Sequence, residues 1–191
     1  MSRPEIVLIR HGETEWSSTG RHTGRTDIPL TERGRRQAVE IRSAVDGWTF
    51  SHVFASPLRR AWETAELTGL SPVRDDGLLE WDYGIYEGVT TPETRETISD
   101  WSAWTHPIED GESLENVAAR ADDVIERVCR FDGPIALVAH GHLLRVLGAR
   151  WLGLEPVEGR RFVLDTTALC ILGWERENRV VRRWNDPCGR P

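Results

Sequence analysis

Two short apolar runs, each ending in His-Gly, constrain this chain more than any other feature. Residues 5–9 read Glu-Ile-Val-Leu-Ile and lead into Arg10, His11 and Gly12. Residues 134–139 read Pro-Ile-Ala-Leu-Val-Ala and lead into His140 and Gly141. Runs of this length without polar alternation are the pattern of buried strands. In open α/β sheets, ligands gather outside the carboxyl ends of such strands. Both His-Gly pairs fall at that place, so both imidazoles can face one bound group. Arg10 can fork onto a phosphate, and His11 can attack phosphorus. Gly12 lets the backbone come close to an oxyanion.

The rest of the chain supports a layered α/β reading. After strand 5–10 comes a polar, Gly-punctuated loop, 17–30. Thr31 is an N-cap candidate for a helix to about Val45. Residues 53–55 read as a short strand. Ser56 and Pro57 then read as cap and first helical residue. A third short strand lies near Val73. Residues 75–112 read as loop with small helices, Thr91 and Pro92 repeating the cap-plus-proline signal. Ser113 opens the clearest helix, with Leu114, Val117, Ala121, Val124, Ile125 and Val128 on one face. Strand 134–139 is followed by a helix from about His142 to Leu152. Residues 168–175 and 179–184 read as a hairpin whose turn contains Glu177 and Asn178. Strands alternating with helices predict a single three-layer domain over 1–191. Its sheet is mixed but mainly parallel, with helices on both faces and an antiparallel edge. Residues 186–191 read as a loose tail.

Composition excludes several functions. A net charge of −7 argues against nucleic acid or an anionic membrane as partner. All 24 basic residues are arginines, which excludes a lysine Schiff base and a P-loop lysine. No run of about 18 apolar residues exists to span a bilayer. The start lacks the apolar core of a signal peptide, so a cytoplasmic location is expected. Cys129, Cys170 and Cys188 are odd in number and lack metal-ligand spacing. The first two read as core and Cys188 as an exposed thiol.

Four ordered blocks carry a resemblance. They are LIRHGETEW at 8–16, SPLRRAWET at 56–64, LLEWDYGIYEG at 78–88 and VAHGHLLR at 138–145. Together they resemble the histidine phosphatase superfamily, also called phosphoglycerate mutase-like, over most of the chain. The resemblance implies a mixed sheet with helices on both faces. It also implies a nucleophilic His11 that becomes phosphorylated, splitting the transfer into two displacements. Arg10, Arg60 and His140 would stabilise the transferring oxygens. Arg60 aligns with the family's second arginine because it directly precedes Ala61. Adjacent helix residues point about 100° apart, so Arg59 is read as a solvated surface charge. Glu80 is the expected general acid, with Asp82 the less favoured carboxylate.

The resemblance further places Gly12, Thr23, Gly24 and Gly141 around substrate. His142 sits where the mutase branch has asparagine. It reads either as a helix-start residue or as a contact to a second phosphate or hydroxyl. His22 and Arg25 read as surface-loop residues, although removing Arg25 or His142 tests for a distal phosphate site. Trp16, Trp81, Trp101 and Trp104 read as core aromatics before pocket walls. His52 and His106 read as structural or surface residues. No metal and no cofactor are expected, because phosphohistidine chemistry uses arginine and histidine in place of Mg²⁺.

The strings look most like the sugar-phosphatase branch with sedoheptulose-bisphosphatases and actinobacterial acid phosphatases. The arginine-rich insert of cofactor-dependent mutases is missing: residues 89–111 carry only Arg95. The expectation is a phosphomonoesterase acting on sugar (bis)phosphates or sugar-acid phosphates. The alternatives are a cofactor-dependent phosphoglycerate mutase and a non-catalytic phospho-ligand-binding module. The resemblance allows a homodimer.

Overall fold

The computed structural model describes residues 3–188. In chain order the elements are β1 (Ile6–Arg10), α1 (Glu15–Thr19), α2 (Glu32–Glu40), α3 (Arg42–Val45), β2 (His52–Ala55), α4 (Arg59–Leu67), β3 (Val73–Arg74), α5 (Thr91–Arg95), α6 (Leu114–Val128), β4 (Ile135–Ala139), α7 (Gly141–Trp151), β5 (Leu169–Glu175) and β6 (Asn178–Asp186). The strands form one sheet in the order β3-β2-β4-β1-β5-β6. β3, β2, β4 and β1 are parallel, whereas β5 and β6 add antiparallel pairs beyond β1.

This order explains where the site forms. β1 and β4 are neighbours, with Arg10 opposite Ala139. The chain leaves β1 toward β2 on one side and leaves β4 toward β5 on the other. Connections that diverge from adjacent strands open a crevice at their carboxyl ends. His11 and His140 are the next residues of those two strands.

The central strands bury both faces. Ile6 and Leu8 of β1 face a cluster built with α6 and α7. Val7 and Ile9 face a smaller cluster with Ile41, Val45 and Ala65. Alternation along a strand produces this split. α6 buries Val117, Ala118, Ala121, Val124, Ile125 and Val128, and its Ser113 cap accepts from Asn116 N. No helix among the described residues is long and apolar enough to cross a membrane.

Several boundaries differ from the sequence reading. Thr31 caps α2 as expected, but the helix breaks at Ile41, whose buried side chain joins the second cluster. α4 starts at Arg59 with Leu58 at the cap position; the Ser56 hydroxyl accepts from Leu58 N at 3.4 Å and lies 2.7 Å from His140 Nε2. Thr90 caps α5 through a reciprocal pair with Glu93, placing Thr91 inside the helix. The terminal turn centres on Arg176 and Glu177, with Asn178 already paired to Glu175. Arg176 takes the left-handed conformation that the tight turn needs. Asp186 ends β6, so it is not part of a loose tail, and residues 189–191 lie outside the described residues. Cys188 is half-buried against the second cluster and not fully exposed. Cys129 packs at the edge of the first cluster and Cys170 is fully buried, as expected.

Candidate active site

His11 continues the parallel ladder, its N–H donating to Ala139 O at 2.9 Å. Its Nδ1 lies 2.7 Å from Gly12 O. A carbonyl only accepts, so Nδ1 carries the proton and Nε2 keeps a lone pair. Burial, then the Arg60 and Arg10 charges, push the imidazole well below its ordinary pKa. His11 is therefore neutral, the state a nucleophile needs.

The segment is clamped from two sides. Gly12 N donates to Thr64 Oγ1 at 3.0 Å. Thr167 N bridges the carbonyls of Arg10 and His11 at 3.0 and 3.2 Å. Thr167 is β-branched yet has φ 54°, which costs about 1–3 kcal/mol and persists because the surroundings hold it. A Cβ on Gly12 would sit 2.5 Å from Gly34 O. Glycine is thus required by packing against α2, and Gly12 does not line the pocket as expected.

Arg10 lines the pocket, and its NH1 donates to Leu164 O at 2.5 Å. Its Nε is buried with no hydrogen-bond partner among the described residues. An unmatched buried donor costs about 1–3 kcal/mol, and an anionic ligand would remove that cost. Gly141 leaves room for this guanidinium, since a Cβ there would be 3.3 Å from Arg10 Nε.

His140 is fully buried, its ring centroid 5.1 Å from that of His11. Arg60 Nε donates to its Nδ1 at 3.2 Å. The proton therefore sits on Nε2, which donates to Ser56 Oγ at 2.7 Å. Burial and then Arg60 hold His140 well below its ordinary pKa. Arg60 also donates to the carbonyls of Thr23, Gly24 and Thr26. Arg60 and His140 thus stand in the wall behind the pocket. Arg59 is exposed, as read.

Glu80 supplies the pocket's carboxylate. Its Oε1 accepts from Trp81 N and Leu143 N at 3.0 and 2.9 Å, and its Oε2 from His142 N at 3.0 Å. Two of these donors belong to the first turn of α7, whose cap residue His140 makes no side-chain bond to that turn. Asp82 instead accepts from Gly84 N at 3.0 Å and lies 3.8 Å from Arg25.

The structure also reassigns several expected residues. Thr23 and His142 line the pocket, and Gly24 lies behind it under Arg60. Tyr83 OH is 2.6 Å from His142 Nδ1. Burial raises the phenol pKa well above its ordinary value, so it stays protonated and donates. His22 is a pocket residue and not a surface one, packed between Tyr83 and Trp101. Arg25 is held by Glu112 at 3.1 Å, away from the pocket. Trp81, Trp101 and Trp104 are core, while Trp16 is half-buried against Gly88. His52 is exposed and stacks on Phe131, and the half-buried His106 accepts from Ser102 N.

The sequence marks neither Tyr83 nor Arg145 as a site residue, and it marks Ser56 only as a helix cap. Arg145 follows His142 by three helical positions, a spacing that puts both on one face. It lies over the Trp104 ring at 4.8 Å and donates to Gly159 O and Arg160 O. The resulting cavity of about 210 Å³ joins Arg10, His11, Glu80, Tyr83, His142 and Arg145. Among the described residues, no group of three or more His, Cys, Asp or Glu is placed to hold a metal ion.

Three neutral imidazoles, His11 and His140 buried and His142 half-buried, predict a pH effect on stability. His11, His140 and His142 all have folded pKa values well below the ordinary 6.5. The unfolded chain takes up protons as pH falls through that value, and the folded chain does not. Stability is fully present above 6.5 and is lost as pH falls toward the folded values. The melting temperature should fall between about pH 7 and about pH 5. A flat melting profile over that window would contradict the neutral assignments.

Comparison with known proteins gives a consistent result. The sequence model of the histidine phosphatase superfamily (branch 1) matches residues 6–187. An acid phosphatase of Mycobacterium tuberculosis is 43% identical over 183 residues, covering 92% of this chain and 89% of the relative. A sedoheptulose 1,7-bisphosphatase of Saccharomyces cerevisiae is 33% identical over 186 residues, covering 79% and 68%. The solved structure of a Mycobacterium tuberculosis open-reading-frame product superposes with a TM-score of 0.93 at 38% identity, covering 97% and 98%.

Proposed function

The chain belongs to the histidine phosphatase superfamily (branch 1), and on that premise we propose a metal-independent phosphomonoesterase that works through phospho-His11. One observation carries this reading. A neutral His11 with Nδ1 engaged and Nε2 open shares a pocket with the unpartnered Arg10 Nε and with Glu80.

In the first step the Nε2 lone pair forms the bond to phosphorus and the ester P–O bond breaks. A proton on the Glu80 carboxyl passes to the departing oxygen. In the second step water attacks phosphorus and gives its proton to Glu80. The P–N bond breaks, and inorganic phosphate leaves a neutral His11. Arg10 meets the developing charge on the phosphoryl oxygens. Arg60 and His140 add charge and a fixed dipole from behind, and Arg60 holds the Thr23–Gly24 loop against the site.

The substrate class we infer is small phosphorylated metabolites, foremost sugar (bis)phosphates or sugar-acid phosphates. The names of the acid phosphatase and bisphosphatase relatives support it. So does Arg145, a cation in the pocket beyond Arg10 whose NH1 makes neither of the carbonyl bonds. Phosphate release from a panel of sugar mono- and bisphosphates and phosphoglycerates, measured in EDTA, tests the reading. Release that persists in EDTA is expected. Arg145→Gln should raise KM about 10-fold or more for bisphosphates and spare monophosphates, as loss of one charge-assisted contact predicts. Isomerisation of a phosphoglycerate with little free phosphate would instead favour the mutase.

A further inference from the structure

Glu80 sits in a stretch without helix or strand, 79–83, so its backbone polar groups need partners from elsewhere. One ion pair supplies several of them. Arg120 on α6 donates Nε and one NH2 proton to the two Glu112 oxygens at 2.8 and 2.9 Å. Its NH1 donates to Gly77 O at 3.0 Å and Leu79 O at 2.8 Å. Its remaining NH2 proton reaches Glu80 O at 3.4 Å. A guanidinium has five N–H donors, and every one is used.

Glu112 completes the cradle from the other side. Its Oε2 accepts from Asp82 N at 3.1 Å, and its N–H donates to Asp82 O at 3.0 Å. Its carbonyl accepts from Trp81 Nε1 at 2.8 Å. Burial raises the Glu112 carboxyl, but the Arg120 bonds and charge, the Asp82 N–H and Arg25 outweigh it and keep it below its ordinary value. Neither Arg120 nor Glu112 lines the catalytic pocket.

We propose that Arg120 and Glu112 are positioning residues that aim the Glu80 carboxyl at the leaving-group oxygen. The proposal rests on Glu80 acting as the general acid. The Glu80 side chain is pinned by the first turn of α7, and its backbone by this ion pair on α6. Lysine cannot reproduce the fork, because an ammonium cannot span a carboxylate and three carbonyls at once.

The test exploits what a misplaced acid can and cannot harm. A sugar phosphate has a basic leaving oxygen that needs the proton. p-Nitrophenyl phosphate has a weakly basic one that departs without it. For Arg120→Lys, kcat/KM should fall about 10- to 100-fold on the sugar phosphate and about 2-fold or less on the aryl ester. Using kcat/KM confines the comparison to transfer onto His11. Inorganic phosphate should inhibit both proteins equally. Glu112→Gln, which loosens the pair while keeping its shape, should show the same split and serves if Arg120→Lys does not fold. Equal losses on both esters, or no loss on either, in a variant that melts like wild type would overturn the proposal. A wild-type protein inactive on both esters would instead defeat the phosphatase reading itself.

Discussion

His11→Ala lowers phosphate release by at least about 10⁴-fold, the loss expected when a covalent nucleophile is removed. Wild-type protein quenched during turnover carries phosphate on histidine, which is labile in acid and stable in base. The variant carries none. The loss will not come from unfolding. His11 is a buried imidazole whose burial opposes its charged form, and among the described residues its side chain hydrogen-bonds Gly12 O alone. The clamps on its backbone, from Ala139, Thr64 and Thr167, do not involve the imidazole. The variant should therefore melt close to wild type. Undiminished turnover in His11→Ala, or labelled phosphate on the variant, would rule out His11 as the group that accepts the phosphoryl.

The nucleophile was legible because its signals are local. An apolar run ending in His-Gly occurs twice, and a parallel pair of buried strands is the simplest way to satisfy both runs. The register Arg10 to Ala139 then brings the histidines together. Neighbouring helical positions face different ways, so only one of Arg59 and Arg60 could meet the site, and the family pattern singled out Arg60. Glu80 over Asp82 rested on the family pattern, and only Glu80 lines the pocket.

The missed features depend on partners far along the chain. Ser56 reads as a helix cap, and its bond with His140 comes from 84 residues away. Arg25 reads as a surface-loop cation, and the partner that holds it, Glu112, lies 87 residues away. His22 lies in a polar loop whose composition predicts exposure. Its burial comes from Tyr83 and Trp101, which no local window contains. Ile41 breaks the expected helix because filling the second cluster outweighs one more turn of continuous hydrogen bonding. Arg145 was in plain view at the end of the fourth block. Its i+3 relation to His142 becomes informative only once His142 is known to face the pocket.

Glu80→Gln should separate substrates more sharply than any other single change. For a sugar phosphate, kcat/KM falls about 10²- to 10⁴-fold, the range for loss of a general acid. For p-nitrophenyl phosphate, the same constant changes by less than about 10-fold, because that oxygen leaves unaided. The amide also changes the local bonding, and the effect on stability can be anticipated. Glutamine keeps one acceptor oxygen, which can still serve Trp81 N and Leu143 N. Its NH₂ replaces Oε2 and now faces the His142 N–H, donor against donor, where a 3.0 Å bond had been. Loss of that bond and its unsatisfied donor costs about 1–3 kcal/mol. A modest fall in melting temperature is therefore expected, and the assay belongs well below it. Global damage would lower both esters together. A fall confined to the sugar phosphate identifies the proton that Glu80 delivers, and equal falls on both esters would remove Glu80 from that role.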